Sequence, residues 1–425
     1  MLVRGLVTTA HRSNWAGNIT FHANELHRPS TVAGLQELVA GSESIRAVGT
    51  RHSFNDIADS HGAHVSLDAL DQPVVVDTET ATATVGAGTR YDQLSAALDE
   101  AGLALHNLGS LPHISVAGAC ATATHGSGDG NGTLATAVRA MDLVTADGEL
   151  VTLHRDRDGD TFAGAVVGLG ALGVVVRLTL DTVPTFDVGQ WVFEGLSWEA
   201  LTGNLDAIFA AGDSVSVFTR WHADQAGRVW VKRRADAPWP GTDELFGARP
   251  AEGPRHPVPG MPPEYCTEQS GVRGRWHDRL PHFRAEFLPS SGQELQSEYL
   301  VPREHAAEAV TALTRLRERI APVLQVCELR TVRRDTLWLS PAYRRDVLGI
   351  HFTWVDDEAA VRPVLREIEA ALAPLAPRPH WGKLSVTAPE RLRAAYPRFA
   401  DFAELVEEFD PRGKFRNPFL DRLLG

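Results

Sequence analysis

Apolar positions along the first ninety residues change their spacing three times. In RPSTVAGLQELVAG, residues 28–41, Val32, Leu35, Leu38 and Val39 recur every three to four positions, which predicts an amphipathic helix with Ser30 as its cap. The next apolar run, Ile45 to Val48, is short and β-prone, and it leads into Gly49-Thr50-Arg51-His52-Ser53. Glycine at such a strand-to-loop transition removes the side chain that would hold a ligand off the backbone. The stretches VVVDTETATATVGAG (74–88) and DLVTADGELVTL (142–153) read as hairpins, the second turning at Asp147-Gly148. Between them, LGSLPHISVAGACATATHGSGDGNG (108–132) is rich in glycine and small residues and has no helical period. Leu111, Ile114 and Val116 give it apolar anchors that flexible linkers seldom carry, so it suits backbone wrapped around a large ligand.

A second glycine-rich run, Gly168 to Gly173, opens the strand VVVRLTL, and Pro184 marks a first boundary. Beyond it Trp, Pro and Arg are more frequent. REHAAEAVTALTRLRERI (303–320) predicts a helix there, and strands are expected around Cys327 and Phe352. If those two are strands, Glu328 and Arg330 project from one face at the two-residue period, and so do His351 and Thr353. With Lys383 of His-Trp-Gly-Lys they make a polar lining suited to a polyhydroxylated ligand, because each hydroxyl removed from water must regain a hydrogen bond or cost about 1–3 kcal/mol.

Length and composition narrow the field. A chain of 425 residues exceeds one ordinary core, and 54 acidic against 41 basic side chains give a net charge of −13. A nucleic-acid or anionic-membrane partner is therefore not expected. The three cysteines, Cys120, Cys266 and Cys327, have no metal or redox spacing and read as structural thiols of a reducing compartment. Neither the segment MLVRGLVTTAHRSNWAGN nor any other stretch has the apolar length of a leader or a membrane span, so a cytoplasmic location is expected. No Rossmann, P-loop, zinc-helix or nucleophile-elbow pattern occurs. Asp156-Arg-Asp158-Gly-Asp160 begins like a calcium loop but lacks its glycine and closing glutamate, and reads as a solvated turn; no metal site is expected.

Several longer motifs in order are more specific: Asn14-Trp-Ala-Gly-Asn18, V-G-T-R-H-S-F around His52, V-G-A-G at Val85–Gly88, S-L-P-H-I-S-V-A-G at Ser110–Gly118, T-H-G-S-G at Thr124–Gly128 and D-P-R-G-K-F-R-N at Asp410–Asn417. Together they resemble the vanillyl-alcohol-oxidase type of FAD enzyme, and within it the alditol oxidases. The resemblance implies an α+β fold with a two-subdomain, PCMH-type FAD-binding domain (1–185), a cap or substrate domain with an antiparallel sheet and flanking helices (186–376), and a C-terminal return (377–425). It implies FAD bonded through its 8α-methyl to His52. Further FAD contacts are implied at Val48, Gly49, Thr50, Arg51, Ser53, Ser110, Ser115, Gly118, Thr122, Ala123, Thr124, His125, Val174 and His380. The substrate contacts implied are Ser110, Gln296, Glu328, Arg330, His351, Thr353 and Lys383. A terminal alcohol of a polyol such as xylitol or sorbitol would be oxidised beside Arg330 and Lys383, with Lys383 or His351 taking the proton and dioxygen accepting the electrons. Aldonolactone oxidation is the nearest alternative, and a non-catalytic FAD- or sugar-binding protein a more distant one. A monomer is expected. Gly109, beside Ser110, is expected to leave a gap by which dioxygen reaches the flavin.

Overall fold

Thr31, rather than Ser30, caps the first predicted helix. Its hydroxyl accepts a hydrogen bond from Gly34 N at 3.1 Å, and the helix Val32–Gly41 buries Leu35 and Val39. The computed structural model that shows this describes residues 13–221, 225–236, 243–286 and 294–425, so the N-terminal leader reading lies, up to residue 12, outside the described residues.

The fold is α+β. A small parallel sheet pairs Glu25–His27 and Ile45–Ala47 with the central Ala63–Val65. A five-stranded sheet, joined by antiparallel pairings, follows in the order Val75–Asp77, Thr82–Gly86, Val174–Asp181, Val138–Val144, Leu150–His154, so both predicted hairpins form. Gly148, at φ +82°, makes the turn of the second. The glycine-rich stretch between them contains a six-residue helix, Val116–Ala121, which its small residues conceal from periodicity. Asp156 to Asp160 lies within Arg155–Ala165, where acidic side chains favour the N-terminus, but Gly159, at φ +42° and ψ −105°, is not helical and kinks the segment, so a turn does sit there.

Antiparallel pairings also build a large sheet, in which Asp187–Leu196, Gly227–Arg234, Ser214–Thr219, Leu324–Val332, Val347–Val355 and Glu294–Pro302 lie side by side. Helices cover one face and bury Leu329, Ile350, Phe352 and Trp354 against Val310, Leu313, Val361 and Ile368. The predicted helix over 303–320 is broken into Ala306–Thr314 and Arg317–Ile320. No helix of the described residues is long and apolar enough to cross a membrane. The three cysteines are buried free thiols.

The D-P-R-G-K-F-R-N motif is a set of ties. The Asp410 carboxylate accepts from Lys414 N and Phe415 N, both at 2.7 Å. Lys414 Nζ donates to Ala40 O and Ala146 O, at 3.2 and 2.7 Å, and Asn417 Nδ2 to Asp56 O, Ile57 O and Asp59 O. The buried Arg46 donates to Phe415 O at 2.7 Å. The late segment is thereby fastened to the loop beyond His52.

Candidate active site

A cavity of about 920 Å³ runs from the loops around His52 and Ser115 to the polar face of the large sheet. At the first end, residues 48–53 leave the strand Ile45–Ala47 and lie against Ser115. A Cβ on Gly49 would come within 2.5 Å of Ser115 Oγ, so any larger residue there would make the serine hydroxyl move aside. Arg51 stands at φ +63°, a backbone region that side-chain-bearing residues rarely occupy. His52 follows, its Nδ1 buried without a hydrogen-bond partner and its ring stacked on Trp15 at 5.1 Å. Burial, with a smaller contribution from the charge of His113, pushes the imidazole down to about 4, so the ring is neutral near neutral pH.

Of the residues implied to contact FAD, Val48, Gly49, Thr50, Arg51, His52, Ser53, Ser110, Ser115, Gly118, Thr122, Thr124, His125 and His380 line this cavity. Ala123 and Val174 do not. Ala123, at φ +55°, is fully buried in one core with Val116, Ala119 and Cys120, and Val174 packs with Leu35, Val39 and Val144 while its neighbours Gly173 and Val175 reach the wall. The size of the cavity, the close approach at Gly49 and the unpartnered His52 nitrogen all fit a bound FAD.

At the other end, strand register brings the predicted polar residues together. Glu328 stands opposite His351, and Thr353 opposite Gln296. Sequence reasoning missed the residue that organises them. Glu298 is wholly buried; its Oε1 accepts from Arg330 Nη2 at 2.8 Å and its Oε2 from Lys383 Nζ at 2.7 Å, while His125 Nε2 lies 3.2 Å from Oε1. Gly349 makes room for this: a Cβ there would be 3.1 Å from Glu298 Oε1 and 3.4 Å from His125 Cε1. Glu298 is two positions beyond Gln296 on one strand, so the same period that paired Glu328 with Arg330 would have reached it.

The charges are balanced. Burial would raise the Glu298 carboxyl, but Lys383 and Arg330 reverse this and hold it well below the usual carboxylate range. Glu328 is likewise held down against burial, by Arg330 and His282. Burial lowers Lys383, with Glu298 opposing. Burial and then the charge of Lys383 keep His351 and His380 well below the ordinary imidazole value, hence neutral. Glu294 accepts from Gln296 Nε2 at 2.7 Å, which turns the amide oxygen toward His351 Nε2 at 3.1 Å; His351 therefore carries its proton on Nε2 and leaves Nδ1 as an acceptor.

Two more missed residues stand behind Glu328. His282 Nε2 lies 2.9 Å from Glu328 Oε1, and the buried Lys232 Nζ is 3.2 Å from His282 Nδ1 and 2.5 Å from Leu280 O. In its charged form Lys232 can only donate, and in that state His282 Nδ1 accepts and its Nε2–H points at Glu328. His282 lies in an irregular segment without periodicity, and nothing in the sequence marks it. Lys383 sits in a turn, His380 to Lys383, tied to the His52 loop by Phe54 N to Gly382 O at 2.7 Å and by Asn55 Nδ2 to Trp381 O and Lys383 O.

Comparison with known proteins gives the chain its relatives. Residues 26–154 match the family described as FAD binding domain, and residues 291–423 the family described as D-arabinono-1,4-lactone oxidase. The alditol oxidase of a Streptomyces species is 53% identical over 97% of this chain and 98% of its own. The L-gulono-1,4-lactone dehydrogenase of Mycobacterium tuberculosis is 30% identical over 97% and 99%. Among solved structures, cholesterol oxidase from B. sterolicum superposes with a TM-score of 0.80 at 17% identity, covering 99% of this chain and 97% of its own, a likeness of fold.

Proposed function

The chain belongs to the alditol oxidase family of FAD-dependent oxidoreductases, and on that premise we propose that it oxidises the terminal hydroxyl of a polyol such as xylitol or sorbitol to the aldose, using FAD held covalently by His52. The observation that carries this reading is the row of buried and part-buried hydrogen-bonding groups, Gln296, Glu328, Arg330, His351, Thr353 and Lys383, facing one cavity with the His52 loop. Bound FAD supplies a two-electron acceptor that takes hydride from carbon and passes the electrons to dioxygen, giving hydrogen peroxide.

The chain's own residues supply the rest. Arg330 and Lys383 donate to the reacting oxygen and stabilise the negative charge that develops there. Glu298 holds both cations in place. His351 Nδ1, the free nitrogen of a neutral imidazole, takes the hydroxyl proton; Lys383, an ammonium bonded to Glu298, has no lone pair to do so. Ser110, Gln296, Glu328 and Thr353 bind the remaining hydroxyls, and the site's two carboxylates and two cations suit a neutral substrate. At the other end, Val48–Ser53, Ser115, Gly118, Thr122, Thr124, His125 and His380 hold the cofactor. The buried, neutral imidazole of His52, whose Nδ1 lacks a well-aligned hydrogen bond, supports a covalent bond there.

Anaerobic titration of the yellow protein with xylitol, sorbitol and an aldono-1,4-lactone tests this reading: the polyols should bleach the flavin band. The match of residues 291–423 to a lactone oxidase family favours lactone oxidation as the second reading, and bleaching by the lactone alone would establish it. For the cofactor, denatured and washed protein should stay yellow and fluoresce on a denaturing gel, and His52→Ala should lose both properties.

A further inference from the structure

The segment Asn14–Asn18 grips the loop that carries His52 from both sides. Trp15 N donates to Arg51 O at 2.8 Å, Asn14 Nδ2 to Ser53 O at 2.9 Å and Asn18 Nδ2 to Phe54 O at 2.9 Å; in return Arg51 Nη1 donates to Ser13 O at 2.9 Å. The segment is closed on itself: Asn14 Nδ2 donates to Asn18 Oδ1, Asn14 Oδ1 accepts from Ile19 N, and Gly17 turns at φ +80°. Two of the four cross-bonds fall on Arg51, the residue held in the left-handed region just before His52. Such a conformation persists only where its surroundings impose it, and it sets the direction in which the next side chain leaves the backbone. The buried Nδ1 of His52 lacks a well-aligned hydrogen bond, with the Thr50 backbone as a polar neighbour of the ring, and the Trp15 indole lies against it at 5.1 Å and 22°. Trp15 is itself braced edge-on by Phe54.

We propose that Asn14–Asn18 is a positioning clasp for flavin attachment, with Trp15 holding the His52 imidazole in the orientation from which it bonds to the cofactor. This rests on the reading that FAD is covalent at His52. In the attachment step an imidazole lone pair forms the N–C8α bond and the 8α-methyl gives up a proton. The two electrons left in the ring pass to dioxygen with that proton and the imidazole N–H proton, as hydrogen peroxide. Trp15 and the two asparagines exchange no atom with the cofactor; they fix one ring.

The test is the covalent fraction of the flavin in the full-length protein, followed over time after purification. Acid precipitation separates flavin that pellets with the protein from flavin released to the supernatant. The wild type should retain nearly all its flavin in the pellet. Trp15→Leu should bind FAD yet release most of it, with the covalent fraction at least tenfold lower at harvest, and Trp15→Phe should recover more than half. Equal covalent fractions in wild type and FAD-loaded Trp15→Leu would overturn the proposal. If Trp15→Leu does not fold, Asn18→Ala decides: it leaves the indole and removes the hold on Phe54 O, and should lower the covalent fraction several-fold, whereas a fully covalent folded Asn18→Ala refutes the clasp. Release of all flavin from the wild type would instead sink the His52 assignment itself.

Discussion

Replacing Glu298 by glutamine removes one charge from the site while keeping its shape and one acceptor oxygen. Two unit charges 2.7 Å apart attract by about 6 kcal/mol at an effective dielectric of about 20, and Glu298 faces two cations at 2.7 and 2.8 Å. The glutamine oxygen still accepts one bond, Glu328 still attracts Arg330, and the side chains relax. Of the gross figure, roughly 1.5–3 kcal/mol should therefore surface as lost transition-state stabilisation, a fall of about 10- to 150-fold in kcat/KM. The pH profile carries a second signature. Burial already lowers Lys383, and Glu298 opposes that shift; without the carboxylate the ammonium gives up its proton at lower pH. Activity that needs the ammonium falls as it titrates, so the alkaline limb of kcat/KM should move down by about one to two pH units, at 1.36 kcal/mol per unit. The assay is kcat/KM for xylitol measured by peroxide formation across the alkaline range, with flavin content and Tm recorded alongside. A folded, flavin-loaded Glu298→Gln with kcat/KM within threefold of wild type and an unmoved alkaline limb would refute the assignment of both cations to the reacting oxygen.

Lys232→Met frees the His282 tautomer behind Glu328 and should raise KM for polyols about tenfold or more with kcat changed less than threefold; an unchanged KM would remove this pair from the substrate site. The same variant has a pH signature in stability. Burial pushes Lys232 down to about 7, below the unfolded lysine value of about 10.4, so the unfolded chain binds more protons between those values and this group's contribution to stability rises with pH across that window. The stability gap between Lys232→Met and wild type should accordingly shift in favour of wild type by about 2 kcal/mol from pH 7 to pH 9, measured by unfolding at each pH. Gly109 does not need a left-handed backbone, and a Cβ there would meet nothing closer than 3.9 Å, so Gly109→Val should fold and hold FAD. Stopped-flow should then show reduction by polyol unaltered and reoxidation by air at least several-fold slower. Wild-type reoxidation would mean that the residue does not govern oxygen access.

Much of the site was legible because strands report on themselves at a period of two. Glu328 with Arg330 and His351 with Thr353 could be placed on shared faces without knowing which strands are neighbours, and the register then set Glu328 against His351. Glu298 was within reach of the same reasoning through Gln296. His282 and Lys232 were not, because a buried lysine in a strand and a histidine in an irregular segment have no pattern to betray them. Motif order made the His52 loop recognisable, yet the approach of Trp15 to His52 joins segments with no local relation, and only folding brings them together. The misread elements were short-range errors: a cap displaced by one residue at Thr31 and a six-residue helix hidden among small side chains.

The turn His380–Lys383 and the ties at Lys414 and Asn417 have a consequence for the order of assembly. On the ribosome the His52 loop emerges hundreds of residues before Lys383, and the strand bearing Glu298 emerges in between. Until the last of these segments arrives, Glu298 has lost one of its two cationic partners and the loop beyond His52 is unfastened from the Asp410–Asn417 segment. A nascent chain therefore carries the histidine long before it carries the groups proposed to act on an alcohol.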